Sequence, residues 1–149
     1  TGRDMPSACS PLFAQLMEAG LIREEDVWRR LRLALEAGNP SVAKAVSGSL
    51  PAAQRPAAAR LDQASRDPSR LLNVDNSLDL NQRGDRELAL YAFDQLAKRD
   101  SGEVLQALRK WAPQLDEDTL RAAWARLATW AARRHETTAL AWFQQAGRQ

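Results

Sequence analysis

The sequence predicts an all-α protein, a solenoid in which antiparallel helical hairpins stack side by side into a right-handed superhelix. Composition gives the first indication, because 27 Ala and 21 Leu stand against five Val and one Ile, and β-branched residues fit sheets better than helices. Periodicity gives the second. From Arg86 to Pro113, apolar residues recur at helical spacing on both sides of a break at Arg99-Asp100-Ser101, which predicts two helices joined as a hairpin. The apolar stripes are too wide for two helices to cover alone, so we expect a neighbouring hairpin on either side.

Two helices are predicted in the first 38 residues. Ser10 is interpreted as the N-cap of the first, with Pro11 at its first helical position, and Gly20 ends it with a left-handed residue. The acidic trio Glu24-Glu25-Asp26 lies at the positive end of the second helix dipole, and Gly38 stops that helix. The apolar stripes of the two helices are Leu12, Phe13, Leu16, Met17, Val27, Trp28, Leu31, Ala34 and Leu35.

The next segment contains three predicted boundaries. Asn39-Pro40 caps a third helix, which Pro51 ends. An alanine-rich helix is predicted from Pro51 to Asp67, restarted or kinked at Pro56. A short fifth helix follows from Pro68 to Leu72, and the polar residues from Asn73 to Gly84 are predicted to form a long connection.

After the hairpin of Arg86 to Pro113, which Gly84 or Asp85 leads into, two further helices are predicted. Asp116 caps a long helix, His135-Glu136-Thr137 breaks it, and the last helix ends at Gly147. Their predicted apolar residues are Leu120, Ala123, Trp124, Leu127, Trp130 and Ala131, and then Ala139, Leu140, Trp142, Phe143 and Ala146.

The apolar pattern repeats along the chain. An offset of 62 places the residues from Val27 to Pro51 on the hairpin, and a further offset of 35 places the hairpin on the last two helices. Periods in this range are typical of helical-pair solenoids such as TPR arrays. The matched positions include Leu31 with Phe93, Val42 with Val104, Val46 with Leu108, Phe93 with Ala128, Val104 with Ala139, Leu105 with Leu140, and Leu108 with Phe143.

Length, charge and cysteine usage exclude several classes of protein. A chain of 149 residues fits one domain, residues 1–149, with a core of ordinary size. The formal net charge is only +2 although 18 Arg are present, and no block of like charge marks a nucleic-acid arm. One Cys and one His cannot form an internal disulfide or a typical metal site. No apolar run is long enough for a transmembrane segment.

The acidic clusters and the single histidine are the first candidates for catalysis. Catalysis by paired carboxylates needs two of them facing one cleft, whereas Glu24-Glu25-Asp26 and Asp116-Glu117-Asp118 both lie in predicted first turns, where negative charge stabilises the helix dipole. We interpret both clusters as caps. His135 follows Arg133-Arg134 at a helix end, where a cation is favoured, and is interpreted as structural.

Three other features carry a binding or reactive alternative. Cys9 lies beside a helix start, which can activate a thiol, but no His is near it in sequence. The run Arg29, Arg30, Arg32 is interpreted as a solvated face, with a polyanion site as the alternative. The five tryptophans could form a sugar-stacking surface, but most share stripes with Leu and Ala, which favours core packing; they are Trp28, Trp111, Trp124, Trp130 and Trp142. The sequence predicts no catalytic, cofactor-binding or metal-binding residue.

A set of local motifs covers nearly the whole chain. They are Cys9 with Leu12-Phe13, the Trp28-Arg29-Arg30 helix leading to Ala34-Leu35, the Gly38-Asn39 turn, Leu50-Pro51, the break at Asp67-Pro68, Arg83, and the turn from Ala97 to Asp100 before a helix that ends at Trp111. In this combination the sequence resembles the superhelical region of the soluble lytic murein transglycosylases of the Slt type.

The resemblance implies a parent enzyme in the periplasm that cleaves the MurNAc-GlcNAc bond of peptidoglycan without water and leaves 1,6-anhydromuramic ends. In that family a long α-superhelix closes into a ring and carries a lysozyme-like catalytic domain at its C-terminal end. Its catalytic glutamate belongs to a Glu-Ser motif followed later by a Gly-Leu-Met-Gln type sequence, and neither occurs here. No catalytic residue can therefore be carried over.

We accordingly expect a non-catalytic scaffold segment that contacts peptidoglycan glycan strands as part of the parent enzyme. Protein partners are possible, and we expect no cofactor and no binding of nucleic acid. Residues 1–10 lack the layout of a signal peptide, so we expect a segment that is already mature or is cut from a longer chain. The alternative is a cytoplasmic TPR-like adaptor whose concave groove binds a protein segment.

Overall fold

The computed structural model describes residues 9–74 and 77–147, and within these ranges the chain forms helices and turns without a strand. The all-α prediction is confirmed for this part of the sequence. The chain divides into two compact units, Thr1–Leu61 and Asp62–Gln149. Whether residues 1–149 behave as one domain stays a prediction, and each unit is described by itself.

The first unit is built around a helix pair. It contains α1 (Cys9–Glu18), α2 (Glu24–Glu36) and α3 (Pro40–Ser47), and α2 packs against α3. The buried face of α2 matches the predicted stripe, since its buried side chains are Val27, Trp28, Leu31, Ala34 and Leu35.

The turn between α2 and α3 follows the predicted chemistry. Gly38 has a φ of 73°, its N–H donates to the carbonyl of Leu35 at 2.9 Å, and the Asn39 N–H donates to the carbonyl of Ala34 at 2.9 Å. These two hydrogen bonds complete a Schellman C-cap. Its left-handed position suits glycine, which has no Cβ to clash with the backbone at a positive φ. The Asn39 side chain then accepts the N–H of Val42 at 3.3 Å and caps α3.

Two predicted helix starts are wrong. Ser10 lies inside α1 rather than at its N-cap, because Cys9, the first described residue, is already helical. The predicted helix from Pro51 begins only at Ala58, as α4 (Ala58–Arg66). Pro56 both lacks an N–H and disfavours helical geometry at the residue before it, so the chain forms turns up to that point.

The second unit carries a longer run of paired helices. After a π-helical turn (Arg70–Val74) come α5 (Arg83–Arg99), α6 (Ser101–Trp111), a 3₁₀ turn (Ala112–Gln114), α7 (Glu117–Arg133) and α8 (Ala139–Gly147). Helix α5 packs against both α6 and α7, and α7 packs against α8. The predicted hairpins are thus present, with α5 starting at Arg83 rather than at Arg86 and with residues 77–82 forming the described part of the connection before it.

The core of the second unit lies along α5 and the faces turned toward it. Helix α5 is buried along most of its length, including Glu87 and Asp94 at 3% and 5% exposure. Its neighbours contribute Leu71 and Leu72 of the π-helical turn and, from α6 and α7, the buried residues Val104, Ala107, Leu108, Trp111, Ala123, Leu127, Ala128 and Ala131. Because α5 is covered on several sides, it is the central helix of this unit.

The predicted stripe of α8 is only partly buried. Ala139 and Ala146 are buried, whereas Leu140 and Phe143, predicted to face inward, are 68% and 43% exposed. The sequence periodicity is right about the helix but wrong about these two side chains. A stripe is buried only where another element packs on it, and α7 is the element that packs extensively on α8.

Candidate functional site

The two acidic clusters are helix caps, as predicted. Asp26 accepts the N–H of Arg23 at 3.1 Å in the first turn of α2. Asp116 is the N-cap of α7, where its carboxylate accepts the backbone N–H of Thr119 at 3.0 Å and the Thr119 hydroxyl at 2.7 Å. These carboxylates satisfy N–H groups that a helix start leaves without partners. Glu117 follows in that first turn and pairs with Arg121 at 3.0 Å, one turn along α7.

The environment of Asp116 favours its ionised form. Partial burial acts to raise the pKa of this carboxyl, but the two hydrogen bonds from Thr119 and the nearby Arg86 guanidinium together lower it below its ordinary value of 3.8. The Nε of Arg86 lies 3.4 Å from Oδ2 of Asp116. The same guanidinium donates to the carbonyl oxygens of Leu80 and Asn81 at 2.9 and 3.0 Å, which ties the connection before α5 to the start of α7.

Long cationic side chains hold the ends of two successive helices in the second unit. Arg99, at the end of α5, donates to the carbonyl oxygens of Ser65 and Arg66 in the last turn of α4, at 2.8 and 3.1 Å. Arg134, at the end of α7, donates to the carbonyl oxygens of Ala97 and Lys98 in the last turn of α5, at 2.7 and 3.3 Å. We call these contacts the arginine clamps. Because the last four carbonyls of a helix lack helical partners, each clamp satisfies groups that would otherwise rely on water.

The two arginine clamps are separated by 35 residues, the same offset as the apolar repeat. These contacts were not predicted from the sequence, because an arginine at a helix end is also explained by the helix dipole. The coincidence of the 35-residue offset with two helix-ending arginines is the signal that could have found them.

A comparable contact fixes the π-helical turn. The indole Nε1 of Trp111 donates to the carbonyl of Leu72 at 2.7 Å, and Lys110 Nζ donates to the carbonyls of Leu72 and Asn73 at 3.2 and 3.1 Å. Trp111 is 3% exposed. Its predicted core role is confirmed, and its one polar atom has a partner, as burial requires.

The five tryptophans differ in burial, which bears on the two predicted alternatives, core packing and a sugar-stacking surface. Trp28 and Trp111 are buried, which confirms core packing, whereas Trp124, Trp130 and Trp142 are only half-buried. Among the half-buried rings, Trp130 has the most polar surroundings. Its Nε1 donates to Oδ1 of the buried Asp94 at 2.8 Å, and two cations lie over its ring, Lys98 Nζ at 5.2 Å and Arg133 Cζ at 4.6 Å from the centroid.

Asp94 organises this group of residues. Its Oδ2 lies 3.0 Å from Lys98 Nζ, one turn further along α5, while Oδ1 accepts the indole hydrogen bond from α7. A carboxylate that is 5% exposed is stable in a protein interior only when it is paired and hydrogen-bonded. We call Asp94, Lys98, Trp130 and Arg133 the Trp130 cluster.

The comparisons with known proteins point to one kind of relative. Over 124 residues, 81% of this chain, the sequence is 27% identical to the soluble lytic murein transglycosylase of Escherichia coli, and over 104 residues it is 28% identical to that of Salmonella typhimurium. Its fold matches the X-ray structure of an inactive mutant of the lytic transglycosylase Slt from Pseudomonas aeruginosa, with a TM-score of 0.73 and 26% identity over 98% of this chain. No family model matches the sequence.

The predicted resemblance to the soluble lytic murein transglycosylases is confirmed.

The chain is much shorter than these lytic transglycosylases. It spans 19% of the length of the Escherichia coli relative and 24% of the Pseudomonas aeruginosa chain. A match of this size fits a segment of the longer relatives, and their chemistry as whole proteins can only be proposed for it. The all-α fold itself is shared with Slt, since the structural match includes nearly every residue of this chain.

The remaining candidates from the sequence are His135, the arginine run on α2 and Cys9. His135 lies in the turn after α7 with a φ of 57°, where its N–H donates to the carbonyl of Ala132 at 3.0 Å and the Glu136 N–H donates to that of Ala131 at 2.9 Å. It thus occupies the left-handed position of a Schellman cap. Arg29, Arg30 and Arg32 are exposed on α2, as a solvated face requires. The side chain of Cys9 lies outside the described residues.

Glu136 completes the turn after α7. Its Oε1 accepts from Arg134 Nε at 2.6 Å and from the Ser101 hydroxyl at 2.9 Å, and Arg134 also donates to that hydroxyl. The hydrogen bond from Arg134 lowers the pKa of Glu136, an effect that burial opposes and the Ser101 hydroxyl reinforces.

The described residues contain neither a metal-binding cluster nor a membrane-spanning helix. Within residues 9–74 and 77–147, His, Cys, Asp and Glu form no group of three or more that could hold a metal ion. In the same part of the chain no helix has the length and apolar character needed to cross a bilayer.

Proposed function

We propose that this chain is a non-catalytic superhelical scaffold segment of a periplasmic peptidoglycan lytic transglycosylase. The observation that carries the proposal is the structural match to Slt over 98% of the chain at a TM-score of 0.73. The sequence match to the Escherichia coli soluble lytic murein transglycosylase, over 81% of the chain, supports it independently.

The physical role proposed for the segment is to provide a stiff helical wall against which peptidoglycan strands are held. Several observations in the second unit support stiffness. The arginine clamps join the ends of α4 and α5 to residues 33 to 37 positions later in the sequence, and Trp111 joins the π-helical turn to α6 across 39 positions. Hydrogen bonds between residues so distant in sequence restrict sliding of one helix along another, because their donors and acceptors must keep a fixed separation.

The reaction proposed for the parent enzyme is cleavage of the MurNAc-GlcNAc bond with formation of a 1,6-anhydromuramic end. We assign no step of it to residues of this chain. Asp26 and Asp116 belong to the two acidic clusters that were candidates for catalysis. Both accept hydrogen bonds from backbone N–H groups at the starts of α2 and α7. Of these, Asp116 has a pKa shifted downward, whereas a general acid needs a raised one.

The test uses the protein in its own cell. An antibody raised against the 149-residue chain should detect its antigen in the periplasmic fraction, and the immunopurified protein should release 1,6-anhydromuropeptides from purified sacculi. The isolated 149-residue chain should release none. Detection of the antigen in the cytoplasm alone, or release of anhydromuropeptides by the isolated chain, would contradict the proposal.

The TPR-like adaptor was the alternative from sequence. The curated relatives and the structural neighbour give it no support, since all are lytic transglycosylases.

A further inference from the structure

The Trp130 cluster contains a guanidinium that is positioned by stacking and that pairs with no carboxylate among residues 9–74 and 77–147. The Cζ of Arg133 lies 4.6 Å from the centroid of the Trp130 ring. Arg133 is exposed in the last turn of α7, and among the described residues no carboxylate forms an ion pair with it. A guanidinium that stacks through its face keeps its N–H groups available along its edge.

The ring under Arg133 is itself held in place. Trp130 Nε1 donates to Asp94 at 2.8 Å, and Asp94 is buried on α5 and paired with Lys98 at 3.0 Å. The indole therefore cannot rotate without breaking a hydrogen bond to a buried carboxylate, which is costly. Arg133 rests on a platform anchored in the core, so it loses less side-chain entropy on binding than a freely moving arginine does.

The neighbouring acids are already engaged. Asp94 pairs with Lys98 and Trp130, and Glu136 pairs with Arg134 and Ser101. Asp100 accepts the N–H of Glu103 as the N-cap of α6. Each of these carboxylates has partners of its own, and among the described residues none of them forms an ion pair with Arg133.

We propose that Arg133 and Trp130 form a binding site for a carboxylate of a peptide. The Arg133 guanidinium donates a hydrogen bond to each carboxylate oxygen, and the adjoining aliphatic part of the ligand rests against the exposed part of the indole. Planar, bidentate recognition of this kind is the geometry that suits arginine. If the chain acts on peptidoglycan, the ligand class is the peptide stem, which carries free carboxylates. The choice of the peptide stem rests on the proposed function, whereas the carboxylate chemistry rests on the Trp130 cluster alone.

The test is a titration of the ¹⁵N-labelled 149-residue chain followed through its five indole signals, one per tryptophan. The probe is a soluble disaccharide tetrapeptide, and its matched controls are the same compound with amidated carboxyls and the disaccharide without a peptide. A Trp130→Phe variant assigns the indole signal. We expect the tetrapeptide to shift the Trp130 signal, and both control ligands to leave it unchanged at the same concentration.

The decisive variant is Arg133→Gln, which removes the guanidinium and its charge but keeps a polar side chain that can form hydrogen bonds. It should weaken binding at least about fivefold, the effect of losing about 1 kcal/mol of interaction at an exposed site. Arg109→Gln is its control, because Arg109 is an exposed arginine in the last turn of α6, outside the Trp130 cluster. The Arg109→Gln chain should bind the tetrapeptide as tightly as the original chain. Matching thermal unfolding of the variants would show that each is folded.

Three results would overturn the site. They are an Arg133→Gln chain that binds as tightly as the original, an amidated ligand that shifts the Trp130 signal equally, and a tetrapeptide that leaves the Trp130 signal unchanged. None of these binding results affects the outcome of the cell-fractionation test of the proposed function. Conversely, Arg133-dependent binding by a protein found in the cytoplasm would retain the carboxylate site and remove the peptidoglycan assignment.

Discussion

The hairpin α5–α6 can be compared with the hairpin α7–α8, which lies 35 residues later in the same unit. In α6 the four inward positions Val104, Ala107, Leu108 and Trp111 are all buried, none of them more than 3% exposed. Their counterparts in α8 are Ala139, Trp142, Phe143 and Ala146, of which Trp142 is half-buried and Phe143 is 43% exposed. The same apolar spacing thus gives different burial.

The reason lies in the neighbours of each helix. Helix α6 packs against α5 and also against α7, whereas α8 packs extensively against α7. An amphipathic stripe lowers the free energy only when a second surface removes it from water. The comparison therefore teaches that periodicity specifies a helix and its inward face, while burial of that face is decided by the next element.

The two hairpins also differ in their turns. Helix α5 passes into α6 through Asp100 alone, whose φ of −151° is extended and whose carboxylate caps α6 at the Glu103 N–H. Between α7 and α8 the chain needs a left-handed residue, supplied by His135, and an ion pair between Arg134 and Glu136. The later turn is longer and depends on more side-chain interactions, so it should be more sensitive to substitution and to pH.

The largest expected effect tests the burial difference directly. Leu108→Ala should lower the free energy of unfolding by about 2–5 kcal/mol, because Leu108 is fully buried and its removal leaves a cavity. The matched change at the counterpart position, Phe143→Ala, should cost only about 1 kcal/mol, since nearly half of that side chain is already in water. Urea denaturation of both variants measures the difference, and equal losses would contradict it.

The second prediction concerns the arginine clamps. Arg134→Met keeps the apolar stem but removes the hydrogen bonds to Ala97 and Glu136, and it should cost about 1–2 kcal/mol. Arg99→Met removes only the contacts to Ser65 and Arg66, and it should cost about half as much. Denaturation at low and high salt separates the carbonyl hydrogen bonds from the ion pair with Glu136. Only the Arg134 variant loses an ion pair, so only its cost should become smaller at high salt. A larger cost at Arg99 would reverse our interpretation of the two turns.

The third prediction uses the lowered pKa of Glu136. A carboxyl whose pKa is lower in the folded state than in the unfolded chain stabilises the fold above its unfolded value, and that contribution is lost as pH falls through the folded value. The original chain should therefore be more stable than Glu136→Gln at pH 7, and the two thermal unfolding curves should converge as the pH falls below about 4.5, the ordinary value for this carboxyl. Glu103→Gln, at the start of α6, serves as control. A gap that does not narrow at all as the pH is lowered below 4.5 would show that ionisation is not the cause.

The smallest expected effect concerns the left-handed residue. His135→Gly should raise the free energy of unfolding by about 0.5–1 kcal/mol, because a φ of 57° strains an L-residue and not glycine. Thr137→Gly, in the same turn, is the control and should be neutral or slightly destabilising, since it gains only unfolded-state entropy. Thermal unfolding would distinguish them, and a His135→Gly chain less stable than the original would show that the imidazole makes a stabilising contact.

Much of the fold could be predicted from the sequence because it depends on local chemistry. The Gly38-Asn39 turn, the Asp116 cap and the break at His135 each involve hydrogen bonds between residues within five positions of one another. Helical pairing of α2 with α3 and of α5 with α6 followed from the spacing of apolar residues. The start of α4 was predicted wrongly because residues 51–55 form turns instead of a helix that Pro56 restarts or kinks.

The candidate site could be predicted only in part. Trp130 was predicted to pack in the core, with a sugar-stacking surface as the alternative. Its hydrogen bond to Asp94 spans 36 positions, and nothing in the local sequence indicates it. The arginine clamps span 33 to 37 positions and were hidden because a cation at a helix end already has a local explanation. Sequence reasoning also placed Leu140 and Phe143 inside, because it cannot know which faces find a neighbour.

By itself, then, the sequence determined where most helices begin and end, which face of each is apolar, and which family the chain resembles. The tertiary structure alone decided which carbonyls Arg99 and Arg134 bind, which carboxylate holds Trp130, and how much of α8 stays in water. The physical reason is the range of the interactions. Caps and periodicity act within one or two helical turns, whereas clamps and burial depend on elements that are brought together only when the chain folds.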